Sequence, residues 1–286
     1  MQKSPENAPS SFEQSTKQLD LKEGQQGLPK RKQSAYKGDF GHVLIVGGDY
    51  GMPGSVRLAG EAALRVGAGL VTIATRSEHI SVVTARHPEL MCYGIKKASE
   101  LEPLLSRATV IVVGPGLRES SWANQLFKKV MMARLPKVID AGALDLLMKY
   151  HKYADDAIIT PHVGEAARLL KTTPTAIQQD RLAAVNALQT YAPVVVLKGA
   201  GSLVKGKGEA PRICTAGNPG MASGGMGDIL SGVIAGLCAQ GLTLLNAAYY
   251  GVCIHAVAGD RAAAQGERGL LATDLLPHLR ALVNEL

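Results

Sequence analysis

Aromatic side chains are scarce in this chain: one Trp, three Phe and eight Tyr, 4% of 286 residues. Gly and Ala are plentiful instead, which suits helices packed tightly against a sheet. Cys92, Cys214, Cys238 and Cys253 form no CxxC pair and have no His at zinc spacing, so a structural zinc site is excluded. They read as reduced thiols of a cytoplasmic protein. No apolar run approaches the length of a membrane span. The N-terminus lacks the apolar core of a secretory signal, and Glu6, Glu13, Asp20 and Glu23 argue against a transit peptide. No GxxxxGK[ST] motif occurs, and Gly47-Gly48 is not followed by GxGxxG, which disfavours P-loop enzymes and Rossmann oxidoreductases. There is no internal repeat.

At 46% hydrophobic, the chain can bury a sizeable core, and one domain is the simplest account at this length. The net charge of +7 is moderate. Part of it is the Lys30-Arg31-Lys32 cluster, which reads as a solvated tail rather than a nucleic-acid patch. The remainder fits a protein that handles nucleotides and other phosphates. Residues 1–35 are rich in Gln, Ser, Lys, Glu and Pro without sustained periodicity. They are expected to be mostly disordered, or an arm packing on something else, with the folded unit at 36–286.

From Tyr36 onward, short apolar runs alternate with longer amphipathic ones. Strands are predicted at 42–46, 70–75, 109–113, 137–140, 157–160 and 194–198. Helices are predicted at 56–66, 122–134 and 175–191, and a hairpin turn at 206–209. Three helices follow in near succession at 229–240, 244–265 and 274–286. Continuously apolar strands alternating with helices imply a mostly parallel α/β sheet covered on both faces. The small residues of the last helices, Ala247, Ala248, Gly251, Ala256 and Ala258, could pack within the subunit or between subunits.

In such sheets ligands bind beyond the carboxyl ends of the strands. The loops there carry Gly47–Ser55, Gly114-Pro115-Gly116, Asp140-Ala141-Gly142, Thr160-Pro161-His162 with Glu165, and Lys198–Ser202. Each is weak alone: His162 and Glu165 also suit a helix start, and Asp140 a strand-end turn. The strongest signal is Gly217 to Asp228, with five glycines in twelve residues running into the apolar-periodic Ile229–Leu237. Glycines at a helix N-terminus let a phosphate approach free backbone amides. A single carboxylate, Asp228, closes the loop. An anion cradle beside one acid is what phosphoryl transfer to a hydroxyl requires.

Taken in order, these motifs resemble the ADP- or ATP-dependent NAD(P)H-hydrate dehydratases. The resemblance runs over nearly all of 36–286. It rests on Lys37–His42, Met52-Pro53-Gly54, Glu61–Leu64 with Gly67–Val71, and His87–Met91. It continues through Gly114–Gly116, Thr160–His162 with Gly164-Glu165, Lys198-Gly199 and Gly217–Asp228, to His255-Ala256 with Ala258-Gly259-Asp260 and Gly266–Asp274. It implies a ribokinase-like, three-layer α/β/α fold. It also implies a reaction: the hydroxyl of hydrated NADH or NADPH, S form, is phosphorylated and phosphate then leaves, restoring NAD(P)H. ADP would give AMP.

By the same resemblance Asp228 is the base. The amides of Gly224, Gly225 and Gly227 hold the phosphoryl, and Lys198, Gly199, Ala200, Gly201 and Ser202 line the nucleotide site. Ser55, Gly116, His162 and Asp228 contact the hydrated dinucleotide. Mg²⁺ offsets phosphate charge, with Glu165 in its water network and no ligand identified. A homotetramer is implied. Gly142 stands where an acid is common, and Ser55 where Ala is. The epimerase domain that fuses to this unit elsewhere is missing from the motif set, so a separate epimerase is expected. Two other readings share features of the sequence. One is a kinase for a vitamin alcohol such as hydroxyethylthiazole, which the Met52-Pro53-Gly54 and Thr160-Pro161-His162 loops disfavour. The other is a non-catalytic nucleotide sensor, which Asp228 disfavours.

Overall fold

The computed structural model describes residues 17–19, 28, 30–85, 87–150 and 153–285. Ten strands form one sheet: β1 (Lys17–Gln18), β2 (His42–Val46), β3 (Leu70–Thr75), β4 (Met91–Gly94), β5 (Val110–Val113), β6 (Lys137–Ile139), β7 (Ala157–Ile159), β8 (Val194–Leu197), β9 (Ser202–Gly206) and β10 (Arg212–Cys214). Their order is β1-β10-β9-β8-β7-β6-β5-β2-β3-β4. From β4 across to β8 all neighbours are parallel, while β9 is antiparallel to both β8 and β10. The carboxyl ends of seven strands, β2 to β8, therefore point to one edge, where the ligand loops were expected.

Strands β2, β5, β7 and β8 are almost wholly apolar because both faces are covered. Along β2, Val43 and Ile45 enter one core while Leu44 and Val46 enter the other, and Val194 to Leu197 in β8 alternate in the same way. One face packs α1 (Pro53–Arg65), α9 (Met226–Ala239), α10 (Leu244–Ala262) and α11 (Leu276–Val283). The other packs α4 (Ser121–Met132), α5 (Gly142–Tyr150), α6 (Val163–Leu169) and α8 (Arg181–Leu188).

Helices α1 and α9 touch backbone to backbone. A Cβ on Gly232 would run into the Ala59 carbonyl, and one on Gly236 would lie 2.8 Å from the Ala63 carbonyl oxygen. Ser55 sits in the first turn of α1 and Asp228 in the first turn of α9, so this contact sets their separation. The small residues of α10 pack within the chain: the position of a Gly251 Cβ lies 2.6 Å from Ile234 Cγ1 of α9.

Two elements depart from the sequence expectation. The helix predicted over 175–191 is two, α7 (Pro174–Gln179) and α8. Asp180 separates them, and its carboxylate accepts the Ala183 amide as the N-cap of α8. Strand β4 was not anticipated; it is a short edge strand of mixed exposure with no clean alternation. Of the tail, β1 pairs with β10, the Leu19 amide donates to the Ile213 carbonyl at 2.7 Å and its side chain is buried. The Arg31 guanidinium stacks 3.7 Å from the Phe40 ring centroid and donates to the Gly67 carbonyl. The remaining expectation for residues 1–16, 20–27 and 29 lies outside the described residues.

Candidate active site

The strand-end loops enclose a cavity of about 870 Å³. Its walls include His162, all of Lys198 to Ser202, Gly225, Gly227 and Asp228, so most residues singled out in the sequence meet in one place. Ser55 and Gly116 lie beside it: the Ser55 hydroxyl bonds Asp228, and the position of a Gly116 Cβ is 3.1 Å from Ser55 Cβ. Gly224 is exposed at the loop and does not line the cavity.

Gly225 is the N-cap of α9 with φ of 91°, a left-handed conformation that favours glycine. It turns the chain so that the first amides of α9, which have no carbonyl ahead of them, face the cavity. Beneath them lies an ion pair. Asp140 follows β6, is inaccessible, and accepts from Lys198 Nζ at 2.8 Å and from the Ser231 hydroxyl at 2.7 Å. Burial pushes its pKa up, but the Lys198 charge and these hydrogen bonds outweigh that and hold the carboxyl below the ordinary range. Lys198 follows β8. Burial lowers its pKa, the Asp140 and Glu165 carboxylates raise it, and the balance is upward.

The Lys198 amide donates to the Pro161 carbonyl at 2.9 Å, which sets Lys198 beside His162. His162 caps α6: its Nδ1 accepts from Gly164 N–H at 2.9 Å, and its own amide donates to Glu165 Oε2 at 2.8 Å. The helix-start reading of Thr160–Glu165 is thus realised, and the ring lines the cavity as well. Glu165 is buried, and its pKa is raised, by burial first and by Asp140.

Asp228 has the ionisation of a base. Burial, then the nearby Asp140 charge, raise its pKa to about 6, against the smaller opposing pull of the Ser55 hydroxyl and Lys198. A carboxylate of that basicity is charged at neutral pH and accepts a proton more readily than a solvated one.

The loop from β2 to α1, which leads into Ser55, is fixed from behind. Asp49 is 3% exposed, pairs with Arg76 at 2.8 Å and accepts from Ser120 at 2.9 Å. Arg76 in turn lies between the Tyr50 and Trp122 rings, 4.3 and 4.0 Å from their centroids.

Three residues of the site escaped the sequence reading as functional. Asp140 was placed among the ligand loops but given no role, and its partnership with Lys198 spans 58 residues. Ser231 is the one hydroxyl in the apolar run of α9, three residues past Asp228 on the same helix face, and that isolation was a usable signal. His255, on α10, lines the cavity while nine-tenths buried, and burial lowers its pKa to about 4.

Among the described residues no group of three or more His, Cys, Asp or Glu side chains is placed to hold a metal ion. The carboxylates near the cradle are already engaged with Lys198, Ser231, His162 and Ser55.

Comparison with known proteins agrees with this geometry. The family model described as NAD(P)H-hydrate dehydratase matches residues 43–280. The bifunctional NAD(P)H-hydrate repair enzyme Nnr of Coxiella burnetii is 58% identical over 259 residues, 90% of this chain and 53% of that one. The chain thus spans about half the length of the curated relatives that it matches most strongly. The ADP-dependent (S)-NAD(P)H-hydrate dehydratase of Xanthomonas campestris is 34% identical, covering 86% of this chain and 89% of that one. The ADP/ATP-dependent NAD(P)H-hydrate dehydratase of Bacillus subtilis, co-crystallised with ATP/Mg²⁺, superposes with a TM-score of 0.85 at 28% identity, covering 95% of this chain and 99% of that one. A ribokinase-like superfamily protein of Enterococcus faecalis superposes with a TM-score of 0.87 at 28% identity, covering 98% of this chain and 99% of that one, so the fold is ribokinase-like. The match over 43–280 and the relatives on either side of it make this chain a member of the NAD(P)H-hydrate dehydratase family.

Proposed function

We propose that this chain dehydrates the S form of hydrated NADH or NADPH, using ADP (or ATP) as phosphoryl donor. The observation that carries the reading is Asp228: a carboxyl with a pKa near 6, in the first turn of α9, beside an amide cradle and above the Lys198–Asp140 pair. Asp228 takes the proton of the C6 hydroxyl as its oxygen attacks the terminal phosphorus, and AMP leaves from ADP. The C6–O bond then breaks, phosphate carries that oxygen away, and loss of the C5 proton restores the C5–C6 double bond. Phosphate departs where hydroxide would not, which is why a kinase fold suits a dehydration.

Gly225, Gly227 and the neighbouring Gly224 present the amide cradle, and Lys198 to Ser202 flank the nucleotide. Ser55, Gly116, His162 and Asp228 face the hydrated ring. The carboxylates are too engaged to cage a metal by themselves, so Mg²⁺ would come with the nucleotide, and Glu165 would be the residue to hold one of its waters. When bound, it offsets phosphate charge. We place the chain in the cytoplasm, consistent with four cysteines that form no disulfide among the described residues, as a homotetramer. An NAD(P)H-hydrate epimerase activity would supply the S form.

The test is recovery of reduced-nicotinamide absorbance from hydrated NADH with ADP and Mg²⁺, with AMP and phosphate formed in equal amounts. Asp228→Asn should lower turnover on the order of 10²- to 10⁴-fold while ADP still binds. Near-normal turnover by that variant, or no AMP from the wild type, defeats the reading.

A further inference from the structure

The charges lining the cavity are unbalanced for a site that takes a polyphosphate. Asp140, Glu165 and Asp228 supply three carboxylates, and among the described residues Lys198 is the one lysine or arginine in the lining. Its ammonium has spare capacity. Asp140 Oδ1 is 2.8 Å from Nζ, whereas Glu165 Oε2, at 3.8 Å, is beyond hydrogen-bond distance. An ammonium has three donors, so two remain uncommitted among the described residues. The side chain is 18% exposed and opens to the cavity. Its Nζ lies 3.3 Å from where a Gly227 Cβ would stand, directly under the amides of α9. A lysine buried only to balance Asp140 would have no need of that position, since a buried ion pair is a weak source of stability.

We propose that the Lys198 ammonium is itself a catalytic group, donating a hydrogen bond to an oxygen of the phosphoryl in flight, and that Asp140 is the positioning residue that holds it under the cradle. This deepens the reading of the site as a phosphoryl-transfer centre and rests on it. In the step, the hydroxyl oxygen bonds the terminal phosphorus and the phosphorus–bridging-oxygen bond breaks, its electron pair staying on AMP. The hydroxyl proton goes to Asp228. Lys198 keeps its proton and contributes charge and a hydrogen bond. Preorganised donors aimed at developing charge in a shielded site are worth about 10²- to 10³-fold each.

Lys198→Met alone would strand a buried carboxylate and confuse catalysis with folding. The informative comparison is Asp140→Asn, whose amide oxygen still accepts from Lys198 Nζ and keeps the ammonium under the cradle, against the double variant Asp140→Asn, Lys198→Met, in which no charge is left unpaired between the two positions. If Lys198 is catalytic, the double variant turns over on the order of 10²-fold more slowly than Asp140→Asn, with ADP affinity reduced far less. Turnover within about threefold of Asp140→Asn overturns the proposal, because removing a structural partner of an already neutral Asn costs little. A second measurement needs no variant beyond the one used for assignment. The ¹⁵Nζ resonance of Lys198 in the wild type should shift substantially further on adding ADP than on adding AMP, which shares the nucleotide site but lacks the terminal phosphoryl. A Lys198 signal indifferent to ADP also overturns it. A wild type that binds ADP but never restores hydrated NADH would instead overturn the substrate reading and leave the ammonium test intact.

Discussion

Asp228 should cost the protein stability in proportion to its usefulness. Its pKa is raised from an ordinary 3.8 to about 6, chiefly by burial and then by the Asp140 charge. A carboxyl that binds its proton more tightly when folded stabilises the fold while protonated. That contribution is fully present below about pH 4, and it is lost as the pH rises through the folded value near 6. Tenfold in proton affinity is about 1.4 kcal/mol, so the interval amounts to about 3 kcal/mol withheld from the folded state at neutral pH. Asp228→Asn keeps the shape and removes the charge. Above pH 7 the variant should therefore be more stable than the wild type by about 1 to 3 kcal/mol, the lower figure allowing for relaxation around the carboxylate. At about 2 °C per kcal/mol for a chain of this size, its Tm should rise by several degrees. Thermal unfolding of both proteins without nucleotide, at a series of pH values, gives the answer. The gap should open between pH 4 and 6 and stay open above. A variant no more stable than the wild type at pH 8, or a gap that does not close in acid, would refute the account of a desolvated carboxylate.

The same carboxyl predicts the acid limb of kcat/KM: activity should fall below a pH of about 6, with Ser55→Ala moving that limb up and Asp140→Asn moving it down, since the hydroxyl stabilises the charge and Asp140 opposes it. Gly225→Val should keep the far-ultraviolet dichroism while weakening ADP at least tenfold by calorimetry. Its φ of 91° costs a branched side chain about 1–2 kcal/mol, and Leu58 Cδ1 is 2.6 Å from the new Cβ. We place the domain boundary near Tyr36, so deleting residues 1–35 should preserve turnover. Loss of the buried Leu19 and of the Arg31–Phe40 contact should lower the Tm by several degrees, more than composition alone suggests, and differential scanning fluorimetry would show it.

What the sequence made legible was whatever is periodic or contiguous. The predicted strands 42–46 and 70–75 match β2 and β3 residue for residue, because strands buried on both faces read as short, mostly apolar and β-branched runs. The Gly217–Asp228 loop was legible because its chemistry is written consecutively. Asp140 with Lys198 and Ser231 was not, since the three come from β6, β8 and α9 and meet only once the sheet order is set. Likewise β1 carries no signal of its own; two polar residues become a strand because β10 offers an unpaired edge. The break at Asp180 was hidden because its flanks are both helical, and only the cap it makes to Ala183 separates them.

The contact between α1 and α9 has a thermal consequence. Side-chain packing loosens on warming as rotamers interconvert, and distances measured through it drift. Here Gly232 brings one helix backbone against the other at Ala59 with no rotamer between them, and Gly236 does the same at Ala63 beside the stiff, β-branched Val66. The spacing from the start of α1 to the start of α9 is therefore gauged by peptide units, the stiffest parts available. Ser55 and Asp228 ride on the two ends of that gauge. The hydrogen bond that tunes the base should keep its length over a range of temperatures in which the surrounding core has begun to breathe.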